Sequence, residues 1–515
     1  MRARPATTQV WPAPVRGLQR AGALVGAPRD AAEVLDNFIC TETGVRLRGG
    51  AALHADVEAP VVRLLAYQAA GGAGNLFAAT EDGIHDVTTD TVSEVVSGLT
   101  SGDWSFTQFG TAGGQFMFAV NGADDARLFD GAAWTALNDS SSPSITGVNT
   151  SNWTFVWAHK RRLWFCERDQ LSAWYLPVNS IAGAAVEFPL KSVFTLGGSL
   201  LLGGSWSSDS GAGMDDFQVF VTTEGEVAVY AGIDPSLATS WALVGVYRIG
   251  RPLNKNAWFR SGGDLMIATE DGVVSIGAAM QMDRAGIQAA AITAPIADLW
   301  QQTVTRRFGS WPFALATWPS RRLFLISVPQ VEGTPLVFAA NATTGAWSRI
   351  TGWDAQSFVV LGDRLYFACC DGKIARADVG GNDLGVPYRG IVVPKMQEFG
   401  GAEAKVCLHA RATWRANTEV RVLMAACTDY VVEDFPVAPP PALFTAPAVW
   451  GGGAVWGGGL KWGGSRRQGR GSDWQTVWGS GFAVAPGLVV ASGGLSQVEF
   501  EITSLQLRFE VGRAI

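Results

Sequence analysis

Short runs of alternating apolar and polar residues, each ended by a turn, are the main pattern along this chain. Three runs align on an Asp-Gly pair, with Leu six residues and Ala three residues before the Asp. They span residues 76–87, 265–276 and 365–376. Alternation followed by Asp-Gly predicts a β-hairpin, because glycine accepts the positive φ that tight turns require. We therefore expect the three leucines to occupy equivalent strands: Leu76, Leu265 and Leu365.

Weaker copies of the same pattern lie between these three. They turn at Asn121-Gly122, Asp169-Gln170, Glu224-Gly225 and near Pro329. The turns recur on average about every 48 residues, which is the length of one four-stranded propeller blade. The sequence thus predicts an all-β fold, with a β-propeller of about seven blades (six to eight) over residues 55–380. Aromatic residues of the Trp-rich stretches at 152–165 and 345–353 are expected in the core between blades.

One segment within the repeat has a helical pattern. Ala and Ile recur at three- and four-residue steps near 280–300, and Pro295 should break the helix. The segment follows a predicted hairpin directly. We expect a short helical insertion between blades.

Beyond residue 380 the repeat stops. Alternation over 404–416, 418–427 and 498–512 predicts strands of a β-sandwich-like domain at 381–515. In the last strand, the alternation slips once at Thr503-Ser504.

A Gly- and Trp-rich loop at 442–470 interrupts this second domain. Its tryptophans recur every six residues, a period that fits neither a helix nor a strand: Trp450, Trp456 and Trp462. We interpret them as loop anchors, ordered when the loop packs in an assembly. Arg466, Arg467 and Arg470 follow as a basic tip, a candidate contact with a neighbouring subunit, another ring or DNA. The alternative is a surface loop whose arginines have no role.

The segment before the propeller is rich in Pro, Arg and Ala. Residues 1–45 show no sustained period and cannot bury a core alone, so the sequence predicts an extended N-terminal arm at residues 1–54. We expect the arm to lie across the propeller or a neighbouring subunit.

Composition narrows the class of protein. The chain is 48% hydrophobic and only 17% charged, which excludes a disordered chain. Its apolar runs are too short for a membrane-spanning helix, and the N-terminus lacks the apolar run of a secretory signal. The net charge is −7, with the acidic excess in the middle of the chain. A strongly basic face for nucleic acid is therefore not expected.

Residues that carry chemistry are sparse. The six cysteines form no C-x-x-C motif and the four histidines form no zinc-binding spacing, so we expect reduced thiols, no metal and no cofactor. Nucleophile-elbow and phosphate-loop motifs are missing, and Ser207–Gly211 matches only half of a sialidase-type turn, with Met214 in place of Trp. We expect no catalytic residues and no enzyme activity.

In residues 17–50, a Pro-containing arm leads to an Asn-containing segment, then to a Gly and a basic residue that begins a strand. This pattern resembles the opening of the nozzle proteins of short-tailed bacteriophages, the tail tubular protein B group. The residues that carry this likeness are Gly17, Pro28, Ala31, Asn37, Gly44, Arg46 and Arg48. Two further patches are similar in style to the same group. One is the segment 283–300 among its Asp-Gly hairpins, and the other is the C-terminal region with its WGGG repeats and closing LQLRFEVG.

The resemblance implies a structural virion protein, assembled in the host cytoplasm. It would form a hexameric tail tube that retains the genome and passes DNA during ejection. Its partners would be the tail adaptor ring, the tail fibres and, transiently and non-specifically, the phage DNA. A net acidic body suits such a conduit, because it repels phosphates and lets DNA slide.

Two other functions stay open at this point. One is a receptor- or glycan-binding propeller at a phage tail tip, which would need exposed Trp in an axial pocket. The other is a polysaccharide hydrolase, which would need paired carboxylates facing one pocket.

Overall fold

The computed structural model is built almost entirely of β-strands. It describes residues 6–22, 26–69, 71–72, 74–209, 214–237, 239–304, 313–330, 334–399, 403–417, 420–432, 435, 469–471, 473–493 and 497–512.

Short strands follow one another along the whole described chain. The first are β1 (Thr7–Pro12), β2 (Ala32–Asp36), β3 (Phe38–Cys40), β4 (Val45–Leu47), β5 (Ala51–Asp56), β6 (Arg63–Gln68), β7 (Gly74–Ala79), β8 (Gly83–Asp86), β9 (Ser93–Ser97), β10 (Ser105–Thr111), β11 (Gly114–Val120), β12 (Ala126–Phe129), β13 (Trp134–Leu137) and β14 (Ile145–Thr146). Next come β15 (Trp153–His159), β16 (Arg162–Glu167), β17 (Ser172–Tyr175), β18 (Gly183–Ala184), β19 (Val186–Pro189), β20 (Leu200–Asp209), β21 (Met214–Thr222), β22 (Glu226–Gly232), β23 (Trp241–Arg248), β24 (Trp258–Ser261), β25 (Asp264–Thr269), β26 (Gly272–Ser275), β27 (Ala314–Trp318) and β28 (Leu323–Val328). The last are β29 (Leu336–Asn341), β30 (Trp347–Ile350), β31 (Ser357–Leu361), β32 (Arg364–Ala368), β33 (Lys373–Ala377), β34 (Arg389–Pro394), β35 (Lys405–Ala416), β36 (Val422–Thr428), β37 (Gly469–Gly471), β38 (Gln475–Thr476), β39 (Ser480–Gly481), β40 (Val484–Ala491) and β41 (Phe500–Val511).

Helices are few and short. They are α1 (Ile276–Ala279), α2 (Arg284–Ala289) and α3 (Ala297–Thr303), with 3₁₀ turns at Thr150–Asn152, Ala294–Ile296 and Pro319–Arg321. Among the described residues, no helix is both long and apolar enough to cross a bilayer.

The chain divides into two compact units. The propeller unit comprises Leu53–Pro335 and Asp354–Ala375, and the terminal unit comprises Met1–Ala52, Leu336–Trp353 and Arg376–Ile515. The terminal unit is thus built from three separate stretches of chain, whereas the sequence predicted one contiguous domain at 381–515.

The propeller unit consists of successive antiparallel sheets of blade size. Within the described residues there are six: β6–β9, β10–β13, β15-β16-β17-β19, β20–β23, β24–β26, and β31–β33 with β5. Neighbouring sheets contact each other mainly through their first strands, which places these strands around a common axis. The predicted all-β propeller is confirmed, with about six blades, within the range of six to eight.

The Asp-Gly turns explain both the repeat and the blade number. Each of the three joins the second and third strands of its sheet, and the leucines before them are fully buried on the second strand: Leu76, Leu265 and Leu365. The weaker turns at Asn121-Gly122, Asp169-Gln170 and Glu224-Gly225 occupy the same place. The turn near Pro329 follows β28, but β29 belongs to the terminal unit, so six turns rather than seven lie in sheets of the propeller unit.

Aromatic residues fill the core between these sheets. The ring centroids of Phe118 in β11 and Phe165 in β16 are 5.1 Å apart, and Trp164 in β16 stacks on Trp241 in β23 at 5.8 Å. Burial of such rings removes large apolar areas from water and dominates core energetics.

The helical segment follows the three-stranded sheet β24–β26. Two short helices replace the single helix expected near 280–300, and Pro295 lies in the 3₁₀ turn between them, where its fixed φ is tolerated. Ile292 N donates to Val273 O at 3.0 Å, so the chain returns along the outer strand of this sheet.

The terminal unit contains strands of two sheets. In one, β41 lies between β4 and β35 and also pairs with β1, while β35 pairs with β37, β38 and β39. In the other, the order within this unit is β29-β30-β2-β34-β40-β36. Thr413 pairs with Ser504 but Trp414 pairs with Ile502, which makes Thr503 the bulged residue at the predicted slip.

The N-terminal segment differs from the extended arm expected from its sequence. β1 pairs with β41 from Thr7↔Phe509 to Pro12↔Ser504, and β2 pairs with β34. Its apolar residues Trp11, Leu35 and Phe38 are fully buried. The partners of these strands lie hundreds of residues away, so local periodicity did not reveal them.

Candidate functional site

Most of the site residues expected from the sequence lie outside the described residues. These are Trp450, Trp456, Trp462, Arg466 and Arg467. The backbone of Arg470 lies in β37 and pairs with Arg415 of β35.

The pKa values of five thiols and of one imidazole are shifted away from neutral pH. Burial raises the pKa of Cys40 to about 12, and a hydrogen bond to Asp354 is the largest cause that raises the pKa of Cys370 to about 11. Burial lowers the pKa of His159 to about 3, and its Nδ1 lies 2.6 Å from Ser205 Oγ. Within the described residues, no three His, Cys, Asp or Glu side chains are grouped as metal ligands.

Two residues of the bacteriophage-like N-terminal pattern meet in a buried cluster of the terminal unit. Arg48 Nε donates to Asn37 Oδ1 at 2.9 Å, and its two Nη atoms donate to the carboxylate of Asp383 at 2.8 and 2.5 Å. The guanidinium lies over the ring of Tyr388, 3.8 Å from its centroid. Gly17 has φ +72°, and a Cβ there would lie 2.4 Å from Trp347 O, so only glycine fits. These residues therefore serve the architecture of the unit.

An exposed cluster in the terminal unit, which we name the aromatic patch, consists of Trp478, Phe482, Val406 and Val431. Trp478 is 85% exposed and Phe482 is 50% exposed, whereas most aromatic side chains of this chain are buried. Val406 and Val431 are also exposed. Exposed apolar side chains on neighbouring backbone segments are candidates for a protein interaction surface.

Backbone hydrogen bonds hold the segments of the aromatic patch side by side. Cys407 N donates to Gly479 O at 2.9 Å, and Val406 pairs with Ser480 between β35 and β39. Phe482 N donates to Asp429 Oδ1 at 2.6 Å, and Ala483 N donates to the same oxygen at 3.1 Å. A Cβ on Gly481 would lie 2.7 Å from the Asp429 carboxylate. These bonds join the backbone segments that carry the patch.

A second apolar surface lies on β23, the outer strand of its sheet in the propeller unit. Leu243, Val244 and Val246 are exposed there, together with Ile233 and Leu237 in the preceding turn. A register shift opposite Val229 and Tyr230 leaves Val244 unpaired in a bulge. Within the described residues, no strand pairs with the other edge of β23. An apolar sheet edge of this type is a template for association.

A polar pocket of about 520 Å³ lies in the propeller unit. It is lined by Asp125, Asn138, Asp139, Gly147, Val148, Asn149 and Thr150. No aromatic side chain is among these described lining residues.

Comparison with known proteins finds no matching family model and no matching curated protein. One similar solved structure is the β-propeller domain of Cps50 (Swd1) from Myceliophteria thermophila, 11% identical over 64% of this chain and 99% of that chain, with a TM-score of 0.41. Sqt1 of Saccharomyces cerevisiae is 10% identical over 68% of this chain and 96% of that chain, with a TM-score of 0.38. The extracellular domain of the two component system BT3049 from B. thetaiotaomicron is 11% identical over 65% of this chain, with a TM-score of 0.42; this chain spans only 41% of its length.

The aromatic patch was missed by sequence reasoning, although a signal for it exists. Trp478 is followed by Gly-Ser-Gly, which continues the Trp-Gly pattern of 450–463 into the described part of the chain. Whether a tryptophan is exposed depends on which other segments of the fold pack over it, and a local sequence pattern does not show this.

Proposed function

We propose that this protein is a structural virion protein, the nozzle or tube subunit of a short-tailed bacteriophage tail. Copies of the chain assemble into a hexameric ring that retains the genome and passes DNA during ejection. The observation that carries the proposal is the aromatic patch, an exposed apolar surface suited to contact between subunits. The resemblance of residues 17–50 to nozzle proteins supplies the biological setting.

The energetics of the patch support self-association. Complete burial of an aromatic side chain removes on the order of 150–250 Å² from water, at roughly 25 cal/mol per Å². Trp478 and Phe482 have 85% and 50% of their surface left to bury. Because backbone hydrogen bonds hold the segments that carry the patch, contact has to order the exposed side chains but not the backbone.

A closed ring requires two different faces on each subunit. The aromatic patch and the β23 surface are two such faces, one on each unit. The acidic net charge of −7 suits a wall along which DNA passes without binding tightly. The adaptor ring and tail fibres are the partners expected above and below such a ring.

The test compares the purified full chain with a Trp478→Ser, Phe482→Ser variant by light scattering and negative-stain microscopy. We expect six-fold rings from the parent chain and monomers from the variant, with the same thermal unfolding midpoint. Val178→Ser, an exposed valine of the propeller unit, is the matched control and should still form rings. A parent chain that stays monomeric at high concentration, or a double variant that forms normal rings, would contradict the proposal.

The tail location is tested separately. Mass spectrometry and immunogold labelling of particles from a cognate phage should place the protein in the tail. Its absence from purified particles would refute the virion role, whatever its oligomeric state.

The polar pocket at Asn138 favours a second candidate, a receptor- or glycan-binding propeller. Its carboxamide and carboxylate groups suit hydroxyl-rich ligands, although it lacks an aromatic stacking surface. Glycan-array binding by the parent chain that is lost in Asn138→Ala and Asp139→Ala variants would support this candidate over the nozzle.

A further inference from the structure

A pocket of about 200 Å³ lies in the terminal unit, between strands of its two sheets. Residues of β35, residues at and just before β36, and residues at and just before β38 line it. Pockets for drug-sized ligands measure roughly 300–1,000 Å³. This pocket is therefore of the size that takes one small molecule.

The side chain of Gln475 connects two of the pocket walls. Gln475 lies in β38 and pairs with Ala410 of β35. Its Oε1 accepts from Met424 N at 3.0 Å and its Nε2 donates to Val422 O at 2.7 Å, both in β36. These bonds tie β38 to β36 on one side of the pocket, so the Gln475 amide serves the wall and is not counted among the groups that recognise a ligand.

The inner lining of the pocket is apolar. Ala412, Val420 and Met424 are buried, and Val422 and Trp414 are half-buried. The rings of Trp414 and Phe500 pack together with their centroids 5.2 Å apart. An apolar cavity of about 150 Å³ can hold a benzene ring. The pocket thus has room for a phenyl group or a branched aliphatic group.

Two opposite charges line the same pocket at exposed positions, Arg421 and Asp473. In the part of the chain that the structure describes, neither side chain has a hydrogen bond or an ion pair, with each other or with a third residue. A simple anion would meet the like charge of Asp473, and a simple cation would meet that of Arg421. A molecule that carries both charges beside an apolar group complements the whole lining.

We propose that this pocket binds a free α-amino acid with a large apolar side chain, such as phenylalanine. The side chain enters the apolar interior, the Arg421 guanidinium donates to the α-carboxylate, and the Asp473 carboxylate accepts from the α-ammonium. A residue within a peptide lacks the two adjacent charges, so the free amino acid is the ligand. The site is independent of the proposed assembly role.

The test titrates the full chain with L-phenylalanine and follows binding by saturation-transfer difference NMR. We expect saturable binding that is about threefold to fivefold weaker in Arg421→Gln and in Asp473→Asn, because each loses one exposed ionic contact. Glycine, which has the same charges without the apolar group, should bind at least about tenfold more weakly. Arg508→Gln is the matched control, since Arg508 is an exposed arginine of β41 outside the pocket, and it should bind like the parent.

Two analogues assign each charge to its partner. N-acetyl-L-phenylalanine lacks the ammonium, so Asp473→Asn should bind it no more weakly than the parent does. L-phenylalaninamide lacks the carboxylate, so Arg421→Gln should bind it no more weakly than the parent does. No saturable binding of phenylalanine by the parent, unchanged affinity in both charge variants, or equal affinity for glycine would each overturn the proposal. Both variants should still form rings if the parent does, so this outcome is read separately from assembly.

Discussion

At the scale of single residues, two arginine–carboxylate pairs of the terminal unit differ in their surroundings. Arg48 is 5% exposed, and within the described residues all five of its N–H donors have acceptors, two of them on Asp383. Arg415 also pairs with a carboxylate, that of Glu501, but its side chain is 68% exposed. Because the Arg48–Asp383 pair is buried, substitution of either residue should be strongly destabilising. Solvent screens the exposed Arg415–Glu501 pair, so substitution there should cost little.

We predict that Arg48→Lys lowers the free energy of unfolding of the terminal unit by about 3–5 kcal/mol, because an ammonium cannot replace the fork facing Asp383. Arg415→Lys should cost less than about 1 kcal/mol. Urea unfolding followed by tryptophan fluorescence measures both values. Similar losses in the two variants would show that burial of Arg48 is not the cause.

His159 predicts a pH dependence of stability. Burial, then the positive charge of Lys160, lowers the pKa of the folded state to about 3, below the ordinary value of 6.5. Between these values the unfolded chain binds a proton that the folded chain does not, so stability is lost as pH falls from about 6.5 towards 3. We expect His159→Gln to flatten this slope by up to about 1.4 kcal/mol per pH unit. Parallel unfolding curves for parent and variant over that range would contradict the prediction.

At the scale of elements, β23 combines two features of an association edge: an unpaired side and several exposed aliphatic residues. β9 is also the outer strand of its sheet, but Val95 is the exposed aliphatic residue on it, in contrast to the several on β23. A concentration of apolar groups on one edge distinguishes a contact surface from the scattered apolar exposure of any soluble protein.

We predict that Leu243→Lys with Val246→Lys prevents ring assembly while changing the free energy of unfolding by less than about 0.5 kcal/mol. Val95→Lys should leave assembly intact. Sedimentation velocity measures assembly, and urea unfolding measures stability. Rings of normal size from the double variant would show that β23 faces solvent in the assembly.

At the scale of the whole molecule, the propeller unit is inserted between stretches of chain that together form the terminal unit. β1 from the start of the chain pairs with β41 from its end, and Trp11 Nε1 donates to Lys395 O at 3.0 Å. The N-terminal segment is therefore part of the folded core. Its deletion should impair folding of this unit, in contrast to the assembly defect expected for an extended arm.

We predict that Trp11→Ala lowers the free energy of unfolding of the terminal unit by about 3–5 kcal/mol. Hydrogen exchange should speed up in β35, β40 and β41, while β10–β13 of the propeller unit keep their protection. Val10→Ala, at the exposed neighbouring position, is the control and should change neither. Faster exchange in both units would show that they unfold together.

The sequence by itself determined the hairpins of the propeller unit, their turns and the propeller repeat. Leu76, Leu265 and Leu365 were placed correctly because alternation and Asp-Gly turns are local properties, set by backbone sterics and by one buried face. Even the bulge at Thr503 is visible as a slip in the alternation.

Tertiary structure alone decided which distant segments meet. The pairing of β1 with β41, the exposure of Trp478 and the contact of Asp103 with Lys255 leave no periodic trace in the chain. Closing loops of hundreds of residues costs entropy that only the combined burial of many side chains offsets. Such contacts are properties of the whole fold, so no local pattern of residues specifies them.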